Sequence, residues 1–156
     1  MDNLQTFSEL SIALIGFAGI VSAIKTEEAA TSRLRRIQMT GVFSIGLVGI
    51  IFALLPQVLF AADLEEQTVW RASSAALLVT NLLSAAIRWK NLSKTDKDAL
   101  KSGFVVNVPI NLVWISAAAN AVLGAPWLYL LTLSCLLTAG MILFGTLLYI
   151  QQSESR

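Results

Sequence analysis

The stretch VLGAPWLYL, residues 122–130, lies inside an apolar run that extends over residues 104–150. At about 1.5 Å per helical residue, this run is roughly twice as long as the hydrocarbon layer of a membrane is thick. The Gly-Ala-Pro sequence at 124–126 is a helix-stop signal followed directly by a helix-start signal. The stretch therefore predicts two membrane-spanning helices, about 104–123 and 126–150, that pack antiparallel as neighbours.

The composition of the whole chain is that of a membrane protein. Of its 156 residues, 56% are hydrophobic and 13% are charged, and the mean hydropathy is +0.71. Ordinary soluble domains are about 25% charged. The charges cluster at 25–36, 63–71 and 88–101, which leaves long uncharged segments between them. This pattern is typical of a multi-span membrane protein.

The segments between the charge clusters predict an all-α bundle of five transmembrane helices that forms a single domain over 1–156. Two capping-box patterns and Gly103 predict a short amphipathic helix, about 94–102, on the membrane surface. The five predicted spans are about 4–24, 37–60, 69–89, 104–123 and 126–150.

The basic residues predict the orientation of these spans. With five spans, ten of the eleven Lys and Arg residues fall on one side of the membrane and only Arg71 falls on the other. The positive-inside rule then places the N-terminus outside and the C-terminus in the cytoplasm, where the basic loops meet anionic lipid. A re-entrant hairpin at 104–123 is the rival interpretation, and it would place the C-terminus outside.

Two asparagines stand near the start of the fourth predicted span. Asn107 and Asn111 are four residues apart and share a helix face with Trp114, whereas Ser116 and Asn120 point elsewhere. Three interpretations stay open. The asparagines mark a frayed helix start that has a proline in its first turn, they join helices by hydrogen bonds, or they line a hydrated path.

Glu9 is the ionisable residue inside the first predicted span, near its outer end, and an ionisable residue there is a functional candidate. Arg71 and Gln57 are expected at a similar depth in the third and second spans. We therefore predict an ion pair between Glu9 and Arg71 at the outer mouth, with Gln57 nearby. In the alternative interpretation, Glu9 simply reaches the lipid headgroups.

Small and hydroxylated residues are expected to serve helix packing. Small side chains let helix backbones approach closely, more often inside one protomer than between protomers. Hydroxyls in an apolar helix commonly donate to the carbonyl four residues earlier. The glycines assigned to packing are Gly16, Gly19, Gly46, Gly49 and Gly140, and the hydroxyls of the last span are Thr132, Ser134, Thr138 and Thr146.

The sequence lacks the residues that several classes of function need. Histidine is absent and Cys135 is the single cysteine, so the sequence predicts no intrachain disulfide, no metal site and no cofactor. No paired nucleophile and base falls within a span, and we expect no catalysis. The net charge of +1 argues against nucleic-acid binding.

Four stretches of the first half carry a resemblance: SELSIALIGFAGIVSAI (8–24), RLRR (33–36), FALLPQVLF (52–60) and VWRASS (69–74). They resemble a loosely defined group of small bacterial multi-span membrane proteins of uncharacterised function. The resemblance implies a location in the bacterial inner membrane and implies no activity.

Five helices enclose little space in one protomer, so a path would form between protomers around a symmetry axis. The first hypothesis is therefore a homo-oligomeric channel or pore for ions or small solutes. The second is an accessory or scaffold subunit that packs against a larger membrane protein. The third is a small carrier, which lacks support because the sequence shows no inverted repeat.

Overall fold

A computed structural model of the chain describes residues 2–24, 33–91 and 104–153, and these residues are all-helical apart from short connections. The predicted all-α architecture is confirmed. The predicted surface helix at 94–102 lies outside the described residues. In chain order the helices are α1 (Asp2–Ile24), α2 (Arg33–Ala61), α3 (Glu66–Asn91), α4 (Phe104–Leu123) and α5 (Pro126–Ser153).

Three of these helices are long and apolar enough to cross a membrane. Their apolar segments are Asn3–Val21 in α1, Met39–Ala61 in α2 and Pro126–Thr146 in α5. In α4 the apolar segment Val108–Leu123 is shorter, and α3 does not reach the same apolarity over its described length. The chain is therefore a membrane-embedded helical protein with at least these three candidate spans.

Prolines and turn residues set the ends of several helices. After α2, Asp63 adopts a left-handed backbone with φ of 55°, and its amide donates to the Phe60 carbonyl at 3.1 Å. Pro126 begins α5, as the stop-and-start signal predicts. Pro109 is the sixth residue of α4, past the first turn. The proline therefore lies past the first turn of α4, and the three interpretations of Asn107 and Asn111 stay predictions.

The chain divides into two compact units, which are described separately. The first unit contains residues up to Leu54 and from Leu136 onward, and so consists of α1 with parts of α2 and α5. Its core is apolar: Leu14, Ala18 and Val42 are buried. The partly buried residues packed against them are Phe43, Leu143 and Phe144.

The second unit extends from Leu55 to Cys135 and contains α3, α4, the end of α2 and the start of α5. Helix α3 packs against α4. Phe60, Trp70 and Tyr129 form a row of aromatic rings, with 5.5 Å between neighbouring centroids in both pairs. The Trp70 ring is buried, and its Nε1 donates to Glu66 Oε1 at 3.3 Å. Most of the polar side chains that this fold buries lie in this unit, between α3, α4 and α5.

Candidate functional site

The turn between α4 and α5 is closed by a side chain four residues before it. Gly124 has φ of +69°, and its amide donates to the Asn120 carbonyl at 2.8 Å. The next amide, that of Ala125, donates to Asn120 Oδ1 at 2.7 Å. A left-handed glycine after the last helical turn is a common helix end, because glycine adopts positive φ without strain. Asn120 therefore terminates α4 and positions the start of α5.

Helix α3 lies directly against this turn. Gln67 Nε2 donates to the Leu123 carbonyl at 3.2 Å. A Cβ atom at Gly124 would lie 2.7 Å from Gln67 Cγ and 2.8 Å from the Gln67 carbonyl oxygen. Glycine is thus required at position 124 for two reasons: its positive φ angle and the close approach of α3.

Asn120 also joins α4 to α3. Its side chain is fully buried, and its Nδ2 donates to Ser74 Oγ at 2.8 Å. The amide oxygen accepts from Ala125, so both ends of the side chain are engaged. A buried amide whose donor and acceptor are both satisfied holds its neighbours in one arrangement, since any other leaves polar atoms unpaired in an apolar surrounding.

A second hydrogen-bonded pair joins α4 to α5 one turn deeper. Thr132 Oγ1 lies 2.9 Å from Ser116 Oγ and 2.9 Å from the Leu128 carbonyl. Ser116 Oγ donates in turn to the Leu112 carbonyl at 2.6 Å. Ser116 and Thr132 each stand eight residues from Gly124, on opposite sides of it. Their contact confirms that α4 and α5 form an antiparallel hairpin.

The helical hydroxyls largely follow the predicted pattern. Ser134 donates to the carbonyl four residues earlier, as expected, and the Thr132 hydroxyl, whose proton goes to Ser116, lies 2.9 Å from the corresponding Leu128 carbonyl. Thr146 donates instead to the carbonyl three residues earlier, that of Leu143. Ser73 is fully buried beside the Tyr129 hydroxyl. Among the described residues, no atom lies at both the distance and the angle of a hydrogen bond to Ser73 Oγ.

We call Ser73, Ser74, Ser116, Asn120 and Thr132 the polar cluster. Each of these side chains is neutral and at least nine-tenths buried. Within the described part of the chain, no group of three His, Cys, Asp or Glu side chains is placed to hold a metal ion. The chemistry that the polar cluster supports is hydrogen bonding between helices, worth roughly 0.5–2 kcal/mol for each bond.

Asn111, one of the two asparagines predicted for a polar path, lies on another face of α4 than Asn120. Asn111 is exposed, and Trp114 is half-buried. Asn107 belongs to α4, but its side chain lies outside the described residues. The structure therefore separates the polar residues of α4 into two groups. Ser116 and Asn120 face the interior of the unit, and Asn111 faces its surroundings.

The three residues predicted for an outer mouth belong to different units. Glu9, in the first unit, is exposed and accepts a hydrogen bond from Gln5 Nε2 at 3.0 Å. Arg71 and Gln57 belong to the second unit. Arg71 is exposed and its aliphatic part lies near Gly124, while Gln57 is half-buried. The ion pair between Glu9 and Arg71 stays a prediction.

The glycines assigned to packing differ in their surroundings. A Cβ atom at Gly46 would overlap the Ile15 side chain, one at Gly49 would overlap Ser11, and one at Gly140 would lie 2.7 Å from Leu14 Cδ2. At Gly19 the nearest atom would be Phe43 Cζ, at 4.0 Å, and at Gly16 no described atom lies within 4 Å. Gly46, Gly49 and Gly140 therefore allow close helix approach inside the first unit, and Gly16 does not serve that purpose there.

Asn120 and the serine pair of α3, Ser73 and Ser74, were not among the residues predicted to form a site. The sequence did contain a signal for Asn120. An asparagine in the last turn before a Gly-Ala-Pro stop is well placed to accept hydrogen bonds from the free backbone amides of the next turn. Ser73 and Ser74 carried no such signal, since serines are common in membrane helices.

Comparison of the chain with protein-family models, with curated proteins and with solved structures gives no match.

Proposed function

We propose that this protein is a homo-oligomeric membrane channel or pore for ions or small solutes. In this proposal all five helices cross the inner membrane of a bacterium, with the N-terminus outside and the C-terminus in the cytoplasm. The distribution of basic residues supports that topology, because it leaves only Arg71 on the outer side. The length of α4 supports it too, since its 20 residues extend over about 30 Å.

The exposed amide of Asn111 is the observation that carries the proposal. The buried asparagine of the same helix, Asn120, has its donor and acceptor engaged inside the unit. Asn111 lies on the outer surface of an apolar helix, where hydrocarbon would leave its amide unsatisfied. Protein or water therefore has to face Asn111, and several copies around an axis supply both.

The path in this proposal is lined by neutral groups. Asn107 and Asn111 present amide dipoles to the path. Trp114, on the same face of α4, narrows the path. Glu9 and Arg71, with Gln57 nearby, shape the outer mouth. Selectivity then arises from dipoles and from charge around the mouth, and weak binding allows fast passage.

An accessory or scaffold role is the second candidate, and the surroundings of Gly16 favour it. This glycine lies on a face of α1 where Ile12, Phe17 and Ile20 are each more than half exposed. No described atom would contact a Cβ at Gly16. A helix of a larger membrane protein would fit closely against such a surface.

Solute flux from liposomes tests the channel proposal. Purified protein is reconstituted, and the flux of small ions is compared for the parent, Asn111→Leu and Glu9→Gln. We expect a several-fold loss of flux for Asn111→Leu and a smaller loss for Glu9→Gln. Asn81→Leu is the matched control, because the Asn81 amide already donates to the Leu77 carbonyl of its own helix at 2.9 Å. Equal flux in all four proteins would discard the assigned path.

Two further measurements separate the candidates and the topologies. The mass in mild detergent distinguishes a ring of several copies from a single copy bound to another membrane protein. A reporter fused after Arg156 is expected to be active on the cytoplasmic side. Activity of that reporter on the outer side would contradict the five-span topology.

A further inference from the structure

We propose that α3 is a conditional membrane span, a helix that crosses the membrane only while the α4–α5 hairpin holds it there. The inference rests on the five-span topology of the proposed function, but it requires neither a channel nor a homo-oligomer. It concerns the second unit alone, and it gives the polar contacts between α3 and the hairpin a role in setting the topology of the chain.

Helix α3 is poorly suited by its own residues to cross a membrane. Its uncharged stretch, 72–87, lies between Arg71 and Arg88 and extends over about 24 Å, whereas the hydrocarbon layer is about 30 Å thick. Over its described length, no segment of α3 reaches the apolarity that marks the three candidate spans. A stretch this short gains little by entering hydrocarbon unaided, because several of its residues carry a hydroxyl or an amide group. These residues are Ser73, Ser74, Thr80, Asn81 and Ser84.

Residues of the hairpin bond to polar groups at one end of α3. Asn120 Nδ2 donates to Ser74 Oγ at 2.8 Å, and Gln67 Nε2 donates to the Leu123 carbonyl at 3.2 Å. We call these four residues the α3 clasp. In each bond one partner belongs to α3 and the other to the hairpin, which follows α3 in the chain. The α3 clasp therefore forms only after the hairpin has been synthesised.

The hairpin positions its own half of the α3 clasp. The Ala125 amide donates to Asn120 Oδ1 at 2.7 Å, and both residues belong to the hairpin. This bond orients the side chain of Asn120, so that Nδ2 is directed at α3. Gly124 admits Gln67, since a Cβ atom at this glycine would lie 2.7 Å from Gln67 Cγ. The hairpin thus offers α3 a prepared contact surface.

Burial along α3 is confined to the end that carries the α3 clasp. Val69, Trp70, Ser73, Ser74 and Leu77 are buried. Of the described side chains that follow Leu77 in α3, none is buried. A helix segment with few buried contacts opens at a low cost in free energy. The rest of α3 therefore depends on the clasped end for its position.

The membrane surface is the alternative position for α3. In hydrocarbon, a hydroxyl or an amide finds a partner only in protein, whereas water and headgroups supply partners at the surface. The surface also accepts the arginines at both ends of the uncharged stretch. The crossing position and the surface position therefore compete, and the bonds of the α3 clasp favour the crossing position.

The reactivity of a cysteine in the middle of α3 tests this inference. Cys135 is replaced by serine in the full-length protein, and a single cysteine is introduced at Val79 or at Ile51. Val79 lies midway along the uncharged stretch of α3, and Ile51 lies near the middle of the apolar segment of α2. Their exposed fractions match, at 54% and 51%. In liposomes, a water-soluble maleimide is expected to label both cysteines equally slowly, because hydrocarbon surrounds both.

Asn120→Leu is the decisive variant. We expect it to accelerate the labelling of Val79→Cys about tenfold and to leave Ile51→Cys unchanged, because it removes the hydrogen bond that joins α4 to α3. Adding Asn81→Leu should return the Val79→Cys rate to that of the parent, since it makes the uncharged stretch more apolar. The Asn81 amide donates to the Leu77 carbonyl of its own helix and lies outside the α3 clasp. A loss of packing at position 120 would therefore not be rescued at position 81.

The parent and the variants decide different claims. Rapid labelling of Val79→Cys in the parent, with Ile51→Cys protected, would show that α3 does not cross the membrane, and it would remove the five-span topology together with the inference. Slow labelling of the parent that Asn120→Leu leaves unchanged would keep the topology and remove the inference alone. Equal acceleration at both positions, or no rescue by Asn81→Leu, would also overturn the inference.

Discussion

The two compact units hold their helices together in different ways. In the first unit, Gly46, Gly49 and Gly140 bring backbones close to neighbouring side chains. The buried Ser11 hydroxyl there donates to the Phe7 carbonyl of its own helix at 2.8 Å. In the second unit, Asn120 and Thr132 form hydrogen bonds between helices.

The contrast shows two solutions to one physical problem. Apolar side chains gain little by leaving lipid for a protein interior, because both surroundings are apolar. Helices then associate either by fitting closely, as in the first unit, or by satisfying polar groups that lipid cannot satisfy, as in the second. Mutations that target close packing and polar pairing separately measure how much each contributes to the free energy of unfolding.

The largest effect is expected from Gly46→Leu. A Cβ atom at this position already overlaps Ile15, and a leucine has to push α1 and α2 apart. We expect a loss of about 3 kcal/mol in the free energy of unfolding, measured by SDS titration of the purified protein. Gly16→Leu is the matched control in α1, because it meets open space and gains helix propensity. Equal destabilisation by both variants would contradict the close-fit account of the first unit.

A smaller effect is expected from Asn120→Leu in the second unit. The substitution leaves Ser74 Oγ and the Ala125 amide without their partner in a buried region. We expect a loss of about 2 kcal/mol in the same titration. Asn81→Leu removes an amide that bonds within its own helix, and it should change the unfolding free energy by less than about 0.5 kcal/mol. If the two asparagines proved equivalent, the polar cluster would not be what holds the second unit together.

The smallest effect is expected at the pair of Ser116 and Thr132. Thr132→Val keeps the shape of the side chain, and Ser116 keeps its bond to the Leu112 carbonyl. A double-mutant cycle with Ser116→Ala should therefore give a coupling energy of only about 0.6 kcal/mol. Strictly additive single mutations would show that this contact contributes no interaction energy between α4 and α5.

The helices and the hairpin were predictable from particular residues. The charge clusters and the Gly-Ala-Pro signal divided the chain into five predicted helices, whose ends lie within a few residues of those in the structure. The Gly-Ala-Pro signal predicted the turn at Gly124, and that turn has the left-handed glycine that such a signal requires. These features are local, because backbone angles and the length of an apolar segment depend on neighbouring residues alone.

The partners of the polar side chains were not predictable in the same way. Spacing alone placed Asn107 with Asn111, and Ser116 with Asn120, on two separate faces of α4. It did not indicate which face turns inward, because a helix that is apolar all round has no contrast between a lipid side and a protein side.

The amino-acid sequence by itself thus determined a helical membrane protein, the ends of its helices and its tightest turn, since all of these follow from local chemistry. Only the tertiary structure decided that Asn120 is enclosed by α3 and α5 while Asn111 is left exposed. That choice depends on which helices become neighbours, and in an apolar surrounding the neighbours are selected by shape and by the pairing of polar groups from distant parts of the chain.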